Sequence, residues 1–235
     1  MPKLRVHNFA VSLDGYAAGP GQDRDNPLGR GGLAMHEWFF STRTFRRMHG
    51  QDGGDAGIDD DFAARCTENV GAWIIGRNMF GPVRGPWVDE SWKGWWGENP
   101  PFHTAVIVLT NHARPSLPMD GGTVFHFVTE GIEAALTRAM EAADSRDVVV
   151  GGGVSTIHQY LRAHFVDQMH LAVAPILLGC GESFFNGIDL RRLGYEVTDH
   201  TSSEKVTHVV ISKQSPLREQ AERTAACCRE HGNGI

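Results

Sequence analysis

No apolar run in this chain approaches the roughly 18 residues that a bilayer-spanning helix needs. The start, Met1-Pro2-Lys3-Leu4, leads directly into a strand-like pattern without the apolar core of a secretory leader. A soluble, cytoplasmic protein without a membrane partner is expected. Cysteine is scarce: Cys66, Cys180, Cys227 and Cys228 have no metal-ligand spacing, and the adjacent pair cannot easily bridge itself, so free thiols are expected. Positive charge is also lacking, and a formal net charge of -6 argues against a nucleic-acid partner. The histidines include no i, i+4 pair around a glutamate and none accompanies a cysteine cluster, so no metal is expected. No Gly-x-Ser-x-Gly frames a nucleophile.

What is present fits one full-sized core: 235 residues, 41% hydrophobic and 21% charged. The densest signal is Asp147-Val148-Val149-Val150-Gly151-Gly152-Gly153, followed by Ser155 and an amphipathic stretch through Ile157, Tyr160, Leu161 and Phe165. A β-branched strand that ends in glycines and turns into a helix presents backbone N–H groups at a positive dipole end, where phosphate binds. The plainer alternative is a tight connection in which glycine only satisfies unusual backbone angles. The dinucleotide fingerprint is not met, because Thr156 stands where a spaced glycine belongs and Asp167 comes too early to hold a ribose.

Along the chain, Lys3 to Val11 reads as a mostly buried strand. Residues 19 to 57 are irregular, rich in Gly, Asp, Pro and Arg, around an aromatic cluster at Met35 to Phe40. Asp59-Asp60-Asp61 should open a helix that runs to about Asn69. Strands follow at Ala72 to Gly76, Thr104 to Leu109 and Thr123 to Val128. Thr129 should cap a helix with apolar positions Ile132, Ala135, Leu136, Ala139 and Met140, and Ser155 should cap the helix after the glycines. Three more strands are expected at Val166 to Pro175, Tyr195 to His200 and Lys205 to Ser212. Strands alternating with helices, then an antiparallel pair, predict a three-layer αβα fold with a mostly parallel sheet. The domain should occupy 1–213, with 214–235 an exposed helix or frayed tail.

Four segments, in order, carry a resemblance: Ser12-Leu13-Asp14-Gly15-Tyr16, Gly76-Arg77-Asn78-Met79-Phe80, Gly151-Gly152-Gly153, and Pro175-Ile176-Leu177-Leu178-Gly179-Cys180-Gly181-Glu182. Over about residues 3 to 213 the chain resembles the dihydrofolate-reductase-like superfamily, most closely the C-terminal reductase domain of the bifunctional riboflavin-biosynthesis deaminase/reductase. No His-x-Glu is matched by a Pro-Cys-x-x-Cys, so the deaminase chemistry is absent. The resemblance implies NADPH as cofactor and a small-molecule substrate, with reduction of 5-amino-6-(5-phosphoribosylamino)uracil as the specific family activity. A pteridine substrate, or a nucleotide- or flavin-binding protein without turnover, are the alternatives.

The same resemblance implies the site residues. The cofactor would be held by Gly76, Arg77 and Asn78, by Thr110, Asn111, His112 and Arg114 at the 2′-phosphate, and by Gly151, Gly152, Gly153, Val154, Ser155 and Thr156. For Arg77 a surface ion pair, and for Thr110-Asn111 an ordinary turn, are the bland alternatives. Ser12, Asp14, Gly15, Trp38 and Trp96 would meet the substrate. The proton donor would be Asp14, unless it is only a turn residue, or Asp60 or Asp61, unless these acids only cap their helix. Trp87, Trp92, Trp95 and Trp96 form either a lid or a subunit interface. Family pairing implies a homodimer, for which the strand Met169 to Ile176 and the tryptophan-rich loop offer material.

Overall fold

The computed structural model describes residues 2–81 and 85–214. Its strands are β1 (Leu4–Ser12), β2 (Tyr16–Ala18), β3 (Val70–Gly76), β4 (Ala105–Leu109), β5 (Leu117–Pro118), β6 (Val124–Val128), β7 (Asp147–Gly152), β8 (Gln168–Ala174), β9 (Glu182–Ser183), β10 (Tyr195–Ser202) and β11 (Thr207–Lys213). Its α-helices are α1 (Glu37–Phe40), α2 (Arg43–Met48), α3 (Ile58–Arg65), α4 (Arg77–Phe80), α5 (Ile132–Ala142) and α6 (Val154–Arg162).

Nine strands form one sheet in the order β10-β11-β8-β1-β7-β3-β4-β6-β5, and β2 pairs with β9 beside it. The six strands from β8 to β6 run parallel, while β11 and β10 continue the sheet antiparallel at one edge and β5 closes the other. The central strands are covered on both faces, which is why they read as continuous apolar runs. In β1 the alternation slips once: Leu4 and Val6 share the main core with Phe9 and Val11, because a bulge at Asn8, with φ 53°, reverses the facing of the residues after it.

One face is filled by α5 and α6, whose Ala135, Ala139, Ile157, Tyr160 and Leu161 pack on β1, β3 and β7. The opposite face has two halves. Over β8 and β11 lie α1 and α3, and over β3, β4 and β6 lies the tryptophan-rich loop, with Trp87, Trp92 and Trp96 packed on Phe80, Phe125 and Phe127. That loop is part of the third layer. Strand β8 is internal, bonded on both sides to β1 and β11, so it offers no free edge for pairing. The exposed apolar residues include Leu13, Leu177 and Phe185, and Val88 within the tryptophan-rich loop.

Several local expectations change. Gly131 and Gly153 are the residues before α5 and α6, in place of Thr129 and Ser155. The Thr129 N–H instead donates to the Glu130 side chain at 2.7 Å. Helix α3 ends at Arg65, short of Asn69, which takes a positive φ of 55°. The irregular segment 19–57 contains α1 and α2, too short to show a period. Cys66 and Cys180 are free thiols, the first buried. The expected tail lies outside the described residues apart from Gln214. Among the described residues no helix is long and apolar enough to cross a membrane, and no group of three or more His, Cys, Asp or Glu could hold a metal ion.

Candidate active site

The carboxyl ends of β1, β3, β4 and β7 open on one edge of the sheet, where α/β proteins bind ligands. Strand β7 ends in Gly151 and Gly152, and α6 starts directly after Gly153. Gly152 has φ 136°, a conformation L side chains rarely adopt, and a Cβ there would sit 3.5 Å from Met79 Sδ and Phe9. Gly153 differs: a Cβ there would meet no atom within 4 Å. The space in front of the helix N-terminus is therefore open at Gly153 and would be narrowed by any side chain. Val154 is buried in the core, Thr156 is buried, and Ser155 is exposed, so what this turn offers a ligand is backbone N–H at a helix start.

Gly76 has a packing reason. A Cβ on it would collide with Thr156 Oγ1, so the glycine lets α6 press against the end of β3. The next residue, Arg77, lies with its guanidinium 3.6 Å from the centre of the Trp87 ring. Its Nε and Nη1 are buried without a hydrogen-bond partner among the described residues. Burial, then the nearby Arg114 charge, lowers its pKa. Unpaired buried guanidinium nitrogens are costly, and an anion would satisfy them. Trp87 ties this arginine to the loop after β4, since its indole N–H donates to the His112 carbonyl at 2.8 Å. Arg77 and residues 110–112 are thus brought together, as the sequence reading requires.

Arg114 and Thr110 are largely occupied. The Arg114 Nη2 donates to the carbonyls of Glu90 (2.6 Å) and Trp92 (2.8 Å), pinning the tryptophan-rich loop, while Nη1 has no partner among the described residues. Thr110 Oγ1 accepts the His112 N–H at 3.1 Å, an ordinary turn bond. Asn111 is exposed beside it.

Asp14 is a clamp. Ser12 Oγ donates to its carboxylate at 2.6 Å, and the N–H groups of Leu178 and Gly179 donate at 3.1 and 2.7 Å. The Ser12 hydroxyl, followed by those two amides, holds its pKa below the ordinary carboxylate value. These three hydrogen bonds tie the end of β1 to the 178–179 backbone, so Asp14 holds two turns together. Gly15 closes the same turn, its N–H donating to Ser12 O at 2.9 Å.

The helix acids are also accounted for. Asp60 accepts the Thr44 N–H at 2.7 Å, where α2 begins, and Asp61 is exposed. Asp59 ends a buried chain: the Asn8 N–H donates to His170 Nδ1 (3.2 Å), His170 Nε2 meets His208 Nδ1 (3.0 Å), and His208 Nε2 meets Asp59 (2.9 Å). Because the first bond uses Nδ1 of His170 as acceptor, neutral rings place each proton on Nε2 and point it toward Asp59. Trp38 packs edge-on against His208 at 5.1 Å and is buried with Ala63, Ala172 and Val206. It is a core residue, contrary to the expected substrate contact.

A crevice of about 440 Å³ lies along the same edge. Gly19 to Asp23 and Pro27 form one wall, Gly181 and Glu182 another, and Asn78 and Trp95 complete it. Trp96 faces the core, 4.8 Å from Phe102 and 6.0 Å from Phe125. Its neighbour Trp95 takes the position expected of it. Nothing in the loop sequence, which has no period, separates the two.

The mostly parallel sheet, its antiparallel end and the layers on its two faces make a three-layer αβα fold. The chain belongs to the RibD C-terminal domain family, whose model matches residues 2–212. This is a family of reductases. No curated protein matches the chain. Among solved structures it is similar to a putative riboflavin biosynthesis protein from Shewanella sp. PV-4, with 21% identity over 91% of this chain and 99% of the other, TM-score 0.54. A deaminase/5-amino-6-(5-phosphoribosylamino)uracil reductase from Thermotoga maritima shares 16% identity over 91% of this chain and 57% of its own, TM-score 0.54. A pyrimidine reductase-like protein from Corynebacterium diphtheriae shares 14% identity over 91% and 92%, TM-score 0.52. At these identities the likeness is one of fold.

Proposed function

We propose that the chain is an NADPH-dependent reductase of a small heterocyclic or carbonyl substrate, of the kind that reduces the ring-opened ribosyl carbonyl of 5-amino-6-(5-phosphoribosylamino)uracil. The observation that carries the reading is the pairing of an open glycine turn at a helix start with an arginine whose buried nitrogens lack a partner among the described residues. Two anionic groups are wanted on one sheet edge, and NADPH has a diphosphate and a 2′-phosphate to meet them. Gly151 to Gly153 and the first N–H groups of α6 would hold the diphosphate. Arg77, with Asn78 and the 110–112 turn beside it, would hold the 2′-phosphate.

When bound, the cofactor supplies a hydride. The chain supplies position: Asp14 fixes the 176–179 turn against the end of β1, and Arg114 fixes the loop that carries Trp95. Asp14 accepts three hydrogen bonds and Asp60 caps α2, so both are proposed to position backbone. The test is thermal: NADPH raises the melting temperature and NADH does so much less. Equal shifts would remove the 2′-phosphate assignment, and a yellow chromophore in the purified protein would favour flavin binding instead.

A further inference from the structure

We propose that Trp95 is the stacking platform for a flat nitrogen heterocycle in the crevice, and so sets the class of ring this enzyme accepts; this rests on the reductase reading above. Trp95 is the one aromatic side chain among the crevice residues, whose other members are glycines, prolines, Gln22, Asn78 and the acids Asp23 and Glu182. It is half-buried, with part of its ring open to the crevice. Its neighbours are spent on the fold: Trp87 and Trp96 pack into the core, and Trp92 does so with its indole N–H donating to Phe80 O at 2.9 Å.

Trp95 is also pre-positioned. Its ring stands edge-on to Trp92, 4.8 Å centre to centre and 81° between planes. Trp92 is itself held by Arg114 through its carbonyl and lies under the Arg24 guanidinium at 5.5 Å. Arg24 follows Gln22 and Asp23, which form the opposite wall, so the buttress behind Trp95 and the loop facing it are joined. A ring held this way gives up little side-chain freedom when a ligand stacks on it. A volume of about 440 Å³ is in the range of small-molecule sites and admits one heterocycle with its substituent. The chemistry named is a flat nitrogen ring, which a pyrimidine substrate and the nicotinamide share.

The experiment measures binding by intrinsic fluorescence for the full chain, titrated separately with NADPH and with 5,6-diaminouracil. Variants are Trp95→Leu and Trp95→Phe, each first checked by near-ultraviolet circular dichroism. Trp95→Leu should weaken one ligand by about tenfold or more, the loss expected when a base loses its aromatic partner, and Trp95→Phe should recover most of it. Loss confined to diaminouracil assigns the platform to the substrate, and loss confined to NADPH assigns it to the nicotinamide. Unchanged affinity of Trp95→Leu for both ligands, or Trp95→Phe no better than Trp95→Leu, overturns the platform. Failure of the unaltered chain to bind either ligand overturns the reductase reading with it.

Discussion

Gly153→Val separates cofactor binding from folding more cleanly than a change at Gly152. At Gly152 any side chain is strained by the φ of 136°, so loss of binding there could reflect backbone damage. Gly153 has φ -79° and no atom within 4 Å of an added Cβ, so the fold itself has room. Replacing glycine at the residue before a helix costs on the order of 1 kcal/mol as a lost cap, and reduced freedom of the unfolded chain offsets about half of that. The unliganded variant should therefore melt within a few degrees of the parent. The side chain would occupy the space in which a diphosphate must meet the α6 amides. For the parent, NADPH at 100 times its dissociation constant contributes about 2.7 kcal/mol, which for a domain of this size is a rise of about 5–10 °C. Differential scanning fluorimetry with and without NADPH reads both quantities. A variant that keeps the parent's full NADPH shift would refute the placement of the diphosphate at this turn.

Arg77→Leu should bring the affinities for NADPH and NADH close together, measured by calorimetric titration; a preserved preference would place the 2′-phosphate elsewhere. Asp14→Asn should lower the melting temperature and raise KM while single-turnover hydride transfer survives, because the carboxylate joins two turns; complete loss of the chemical step with intact cofactor binding would restore its catalytic role. Stability should fall with acid. Burial lowers His7 from 6.5 to about 4 and His170 to about 2, and it lowers His208 as well. The unfolded chain then binds more protons, so their contribution is whole above pH 6.5 and is lost progressively below it, for His7 by roughly 3 kcal/mol in all. A melting temperature flat from pH 7 to about pH 4.5 would contradict this. Light scattering should give twice the 25.8 kDa chain mass, with Leu13, Leu177 and Phe185 among the exposed apolar residues available for pairing, and a monomer at micromolar concentration would exclude the dimer.

What was legible in the sequence was what local pattern determines. The strands Val106 to Val108 and Val148 to Val150 are covered on both faces, and that burial writes itself as unbroken apolar runs. The glycine turn and its helix were equally visible, because only backbone geometry was needed. The roles decided by distant partners were not. The two amides that hold Asp14 lie 164 and 165 residues away, and the carbonyls that occupy Arg114 lie 24 and 22 residues back in a loop without a period. The same lack of period hid which of Trp95 and Trp96 faces the crevice, and Trp38 gave no sign that its ring closes over a buried histidine pair.

Single-turnover mixing of the enzyme and NADPH with the ring-opened 5-amino-6-ribosylaminouracil phosphate, followed by cofactor fluorescence, tests the central claim most directly. The account predicts loss of the NADPH signal on adding substrate, much less with NADH, and none in Gly153→Val. Saturable NADPH binding with no oxidation by this substrate or by a dihydropteridine would contradict it and leave a nucleotide-binding protein without turnover.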